Sequence, residues 1–226
     1  MVRRLQKPFV KFAERQCSRL VETSNLDSLF KIFKRNYKLV PLEVFGKDPY
    51  KQSLQATAYR TLISTILSAR TRDEVTLEAS KRLFRVAPNF KALKSLTEPE
   101  IEKLIHPVGF YKTKAKHLKK LANTLSKVPK TREELMKLPG VGRKTANLTL
   151  NRAFGIPAIA VDTHVHRICN TLALVKTKTP EQTEKELIKI IPKKYWPEIN
   201  RLFVSIGRQY TSKRKLEEFL KREELI

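Results

Sequence analysis

Cysteine is almost missing from this chain: Cys17 and Cys169 are the only two in 226 residues. Two thiols supply neither a disulfide framework nor a four-cysteine metal site, so no metal centre is expected. Cys169 stands among Ile168, Leu172 and Ala173 and reads as a small core residue. Long apolar runs are missing too. No stretch approaches the roughly 20 residues that a membrane span needs, and no membrane partner is expected. The first residues are basic but carry no apolar h-region and no cleavage-like site, which argues against a secretory signal. The expected location is intracellular: cytoplasm or nucleoid in a prokaryote, nucleus in a eukaryote. No segment alternates apolar and polar residues long enough to suggest a sheet, and none is of low complexity.

Acidic residues are the other shortage. Asp and Glu number 22 against 47 Lys and Arg, a formal net charge of +25. Such an imbalance points to a polyanion: DNA, RNA or an acidic membrane surface. A lysine-rich proteome is the bland alternative. The excess is uneven, with 22 basic and 8 acidic residues in 51–156, against 11 and 5 in 1–50 and 14 and 9 in 157–226. From Lys112 to Lys130 there are seven lysines and no acid. The middle of the chain is the expected polyanion face.

What is present reads as helix. Tyr59, Leu62, Ile63, Ile66 and Leu67 form one apolar stripe on a helix near 56–69. Leu118, Leu121, Ala122 and Leu125 mark another, as do Val165, Ile168, Cys169 and Leu172, and Ile199, Leu202, Phe203 and Ile206. Thr71 with Glu74, Thr97 with Glu100, Thr131 with Glu134 and Thr179 with Gln182 each fit a capping box, in which a hydroxyl and an acid or amide satisfy first-turn N–H groups. Pro180 follows its cap where a missing N–H costs nothing. The expected fold class is all-α, about ten helices joined by short loops.

Two loops share a pattern. Pro107-Val108-Gly109-Phe110-Tyr111-Lys112 and Leu138-Pro139-Gly140-Val141-Gly142-Arg143-Lys144 both place Pro and Gly between helices, ahead of a basic helix start. In the second, Gly140 and Gly142 allow a tight turn, and the helix begins at once. Its first N–H groups and positive dipole end then form an anion site built from backbone. Arg143 and Lys144 add charge. A plain turn between packed helices is the alternative.

These residues resemble a known family. LPGVGRKTAN (138–147) looks like the helix-hairpin-helix of the endonuclease III group of DNA glycosylases, and VDTHVHRICN (161–170) like the following segment with its catalytic aspartate. LSARTRD (67–73) and GFYKTKA (109–115) resemble the family's LSAQ-type segment and DNA-wedge loop. The resemblance runs from about Asn25 to Tyr210. It implies two helical lobes with a DNA-binding cleft between them: 51–156 with the hairpin and Lys144, and 1–50 with 157–226 supplying Asp162. The crossing is expected at Phe154-Gly155-Ile156-Pro157. The implied partner is double-stranded DNA with a damaged base or abasic site, bound by a monomer.

The resemblance also implies roles. Lys144 would attack C1′ as a neutral amine, its proton removed through burial or cationic neighbours such as Arg143. Asp162 would stabilise the cationic sugar. A phosphate-contacting lysine and a helix N-cap are the plainer readings of the two. Gly140, Val141, Gly142 and Arg143 would bind DNA backbone. Phe110 would intercalate, unless it is a core aromatic, and Arg70 would fill the gap left by the flipped base. Arg70 stands where the family carries glutamine, and arginine cannot accept hydrogen bonds. Ser68, Asp73 and His164 match positions near the active site; His166 reads as a surface residue. The lysine favours a bifunctional glycosylase and abasic-site lyase acting on oxidised pyrimidines such as thymine glycol. The alternatives are mismatched uracil or thymine, 8-oxoguanine, or a non-catalytic DNA-binding module. The family's four-cysteine iron–sulfur cluster is expected to be absent, because no cysteine follows Gly207-Arg208. Leu216, Phe219, Leu220 and Ile226 would anchor a terminal helix in its place, with Phe9 and Phe12 of the basic N-terminal segment.

Overall fold

The computed structural model describes residues 23–38 and 54–226. Among them are twelve α-helices, one short 3-10 turn and no strand, so the chain is all-α. Phe9, Phe12 and Cys17 lie outside the described residues. The chain divides into two compact units: Met1–Leu39 with Ile159–Ile226, and Val40–Ala158.

The central unit is assembled around helix α2 (Leu54–Ser68). Its stripe of Tyr59, Leu62, Ile63, Ile66 and Leu67 is buried, and so are the polar residues Thr61, Ser64 and Thr65. Ser64 and Thr65 donate to the Thr61 carbonyl at 3.2 and 2.7 Å, which lets hydroxyls sit inside the core. Fully burying each large side chain on this stripe is worth about 1.5–3 kcal/mol. Around α2 pack α3 (Asp73–Val86), α6 (Tyr111–Thr124) and α8 (Arg143–Phe154). The shorter α4 (Phe90–Ser95), α5 (Glu98–Ile105) and α7 (Arg132–Met136) complete the unit. Helix α8 ends at Gly155, whose φ of +65° closes the last turn with a bond from its N–H to the Asn151 carbonyl.

The second unit holds α1 (Thr23–Arg35), α9 (Thr163–Thr171), α10 (Pro180–Ile190), α11 (Trp196–Gln209) and α12 (Lys213–Arg222). Leu26, Leu29, Phe30 and Phe33 of α1 meet Ile199, Leu202, Phe203 and Ile206 of α11 in one core with Val165, Ile168 and Cys169 of α9. Helix α12 buries Leu216, Phe219 and Leu220 in that core, with Leu225 beyond it and Ile226 partly buried. Phe219 stacks on Tyr210 at 4.3 Å. The Arg167 guanidinium ties α9 to the C-terminal end of α11 by donating to the carbonyls of Gly207 and Tyr210 at 2.9 and 2.8 Å.

Thr97 and Glu100 form the full reciprocal capping box. Thr131 and Thr179 cap their helices through hydroxyls, with Pro180 in the first turn. The Thr71–Glu74 box does not form. Helix α3 starts at Asp73 behind an Arg72 N-cap, because the Thr71 hydroxyl is taken up by Ala69, Gly109 and Lys114. No helix among the described residues is long and apolar enough to cross a membrane.

Candidate active site and nucleic-acid interface

In the central unit, two turns carry most of the residues singled out from sequence. The second runs from α7 into α8. Val141 plugs it into the core at 7% exposure, and its N–H donates to the Leu138 carbonyl at 3.1 Å. The Val141 side chain therefore packs into the core of this unit while its backbone stays in the turn. Gly140 has φ +76°, and a Cβ there would come within 2.7 Å of the His117 ring nitrogen. Only glycine meets both demands without strain. Gly142 has a different task. It is the N-cap of α8, it provides no side-chain cap, and a Cβ at this position would meet nothing within 4 Å. The helix thus presents its positive end across open space. Arg143 is half-buried and Lys144 exposed, at the first two positions of that helix.

The first turn runs from α5 into α6. Val108 plugs it into the core as Val141 does the second. Phe110 is the N-cap of α6 with φ +57° and is 61% exposed, which rules out a core aromatic. Beside it, Arg70 is exposed with φ +52°, and its guanidinium lies 5.6 Å from the Phe110 ring centre. Two side chains in left-handed backbone, stacked as a cation on a ring, project together from the surface of this unit. Left-handed backbone costs about 1–2 kcal/mol for such residues and persists where the surroundings impose it. Ser68 ends α2 and Asp73 begins α3; both are half-buried and flank this loop.

In the other unit, Asp162 is the N-cap of α9. Its Oδ1 accepts from the N–H groups of His164 and Val165 at 2.9 and 3.0 Å, fixing the carboxylate at the positive end of the helix. His164 packs against α11 at Gly207, where a Cβ would clash with its ring at 2.5 Å. His166 is not a surface residue. It is half-buried, with Nδ1 2.6 Å from the Thr183 hydroxyl. Burial and the nearby Asp162 charge push the Cys169 thiol well above its usual range, leaving it an inert core group.

Sequence reading missed Lys114. It is buried, and its ammonium donates to the Leu67 and Ala69 carbonyls at 2.7 and 2.6 Å and to the Thr71 hydroxyl at 3.2 Å. Burial pulls its pKa down to about 8. Its neighbours Lys112, Lys116, Lys119 and Lys120 disguised it as solvent-facing. The available signal was its place four residues before Leu118, on the apolar stripe of α6.

The profile of the HhH-GPD superfamily of base excision DNA repair proteins matches residues 63–193. Endonuclease III of Thermotoga maritima is 48% identical over 156 residues, 67% of this chain and 73% of that protein. Endonuclease III of Rickettsia felis is 34% identical over 195 residues, 84% and 87% of the two chains. Among solved structures, a trapped endonuclease III–DNA covalent intermediate, an estranged-adenine complex, superposes with a TM-score of 0.66 at 34% identity, covering 78% of this chain and 90% of that one.

Proposed function

The chain belongs to the HhH-GPD superfamily of base excision DNA repair proteins and is a DNA glycosylase with abasic-site lyase activity; on that premise we propose that Lys144 is its nucleophile, Asp162 its acidic partner, and oxidised pyrimidines of the thymine glycol type its lesions. The observation that carries the assignment is the start of α8. An N-cap without a side chain faces open space, and an exposed lysine follows two residues later. That arrangement suits a phosphate on the helix end and an amine beside the sugar.

The chemistry follows from the groups. The Lys144 amine attacks C1′ of an extruded nucleotide. A C1′–Nζ bond forms as the glycosidic bond breaks, and the base leaves with a proton. The sugar ring opens to a protonated Schiff base. Loss of a C2′ proton then expels the 3′ phosphate and cuts the strand. Asp162, held at the start of α9, offsets positive charge on the sugar as the base departs. Phe110 intercalates into the stack, and Arg70 fills the gap left by the flipped base, beside the base left without a partner. Phosphate contacts at Gly142 and Arg143 make affinity fall with salt, by roughly 0.9 log units per contact per decade.

No step runs through an iron–sulfur cluster, and we propose that the chain works without one. Its two cysteines cannot supply four thiolates, and Cys169 is sealed in a core. After α11 the chain turns directly into α12, whose Leu216, Phe219 and Leu220 pack into the core of this unit.

A panel of duplexes tests the lesion class: thymine glycol, uracil and thymine opposite guanine, and 8-oxoguanine opposite cytosine. Excision fastest at thymine glycol supports the proposal. Excision fastest at a mismatch or at 8-oxoguanine replaces it while leaving the lysine chemistry in place.

A further inference from the structure

Lys114 is an expensive residue to keep. Its ammonium is buried and its three bonding partners are neutral oxygens. An ammonium has three N–H donors, and all three are used. Desolvation without a carboxylate partner is reflected in the depressed pKa of about 8. Buried polar groups of this kind fix geometry at a cost in stability, so the useful question is which geometry is fixed.

The acceptors answer it. Leu67, Ala69 and Thr71 surround Arg70 on both sides. The main-chain N–H of Lys114 donates to the Phe110 carbonyl at 3.0 Å. The Thr71 hydroxyl that receives the ammonium also receives the Gly109 N–H at 3.1 Å. Gly109 lies so close to the Arg70 carbonyl that a Cβ would sit 2.5 Å from it. One residue therefore ties the backbone under Arg70 to the backbone under Phe110. These two residues carry the positive φ angles and the stacked, exposed side chains.

We propose that Lys114 is the positioning residue of this pair: it locks Arg70 and Phe110 into one rigid probe that enters the DNA stack. The proposal rests on the reading of that pair as the wedge. It goes beyond that reading by assigning the wedge's stiffness to a buried ammonium that touches no DNA. Stiffness matters because a flexible probe would spend part of its binding energy on becoming ordered.

The test uses the full chain and a duplex with 2-aminopurine opposite a tetrahydrofuran abasic analogue, an uncleavable probe whose fluorescence reports the opposite base. At saturation, wild type should change the fluorescence strongly. Lys114→Met should bind but change it much less, and should slow excision from duplex DNA by about tenfold or more. In an Arg70→Ala, Phe110→Ala background, Lys114→Met should cause no further loss, since residues acting through one another are non-additive. Thr71→Val, which removes the shared hydroxyl, gives the same pattern and serves if Lys114→Met does not fold. A full fluorescence change and full excision rate in these variants would overturn the proposal. So would a loss that adds undiminished in the double-alanine background. Borohydride trapping at a single-stranded abasic site separates this from the lysine assignment. It should survive Lys114→Met, whereas no adduct with wild type would count against Lys144 and leave the fluorescence result standing.

Discussion

The two turns of the central unit start from one plan and are finished differently. Each seats a valine in the core, Val108 or Val141, and follows it with a glycine. In the second turn that glycine, Gly142, is itself the N-cap, and the helix end stays open. In the first turn one more residue intervenes. Phe110 occupies the N-cap in left-handed backbone and holds its ring exposed beside Arg70. A single residue thus separates a turn suited to receive a phosphate from a turn suited to probe a base stack.

Substitutions in these turns can break the comparison, beginning with the glycines that hold the backbone. Gly109→Ala sets a Cβ 2.5 Å from the Arg70 carbonyl, which is backbone and cannot swing aside. A loss of about 2–3 kcal/mol is expected in urea unfolding. Gly140→Ala meets a left-handed φ and the His117 ring, which can move, and should lose about 1–2 kcal/mol. Phe110→Ala removes an exposed ring, so stability should stay within about 0.5 kcal/mol. Single-turnover excision should fall about tenfold, because the ring no longer offsets the cost of unstacking.

Gly142→Asp sharpens the contrast, because two measurements should move in opposite directions. Aspartate is a better N-cap than glycine and suits the positive helix end, so stability rises by a few tenths of a kcal/mol. DNA affinity should fall by about 1 kcal/mol, since a carboxylate then stands where the phosphate would bind. The smallest effect is on pH dependence. Native Lys114 titrates near 8 and an unfolded lysine near 10.5. Between those values the unfolded chain holds more protons, so this group makes stability rise with pH. Urea unfolding from pH 8 to 10 should show that rise in wild type and less of it in Lys114→Met.

Much of this was legible in sequence. The apolar stripes of α2, α9 and α11 place the cores, because helical spacing and burial are the same information. The second turn was legible because its glycines and cations are consecutive. Three features were hidden for definite reasons. Thr71 looked like a helix cap because local spacing cannot show that Gly109 and Lys114, far along the chain, take its hydroxyl. The inward packing of Val141 was hidden because it stands between two exposed glycines, and only the geometry of the turn directs it into the core. Lys114 was masked by charge: a run of lysines reads as solvated, and only its register against Leu118 set it apart.

The proposed strand-cutting chemistry depends most on the amine at the start of α8. Borohydride trapping on an abasic-site duplex, with wild type beside Lys144→Ala, tests it directly. A covalent protein–DNA adduct with wild type and none with the variant is the predicted result, with both proteins folded and binding DNA. No adduct with wild type, or an undiminished adduct with Lys144→Ala, would contradict it.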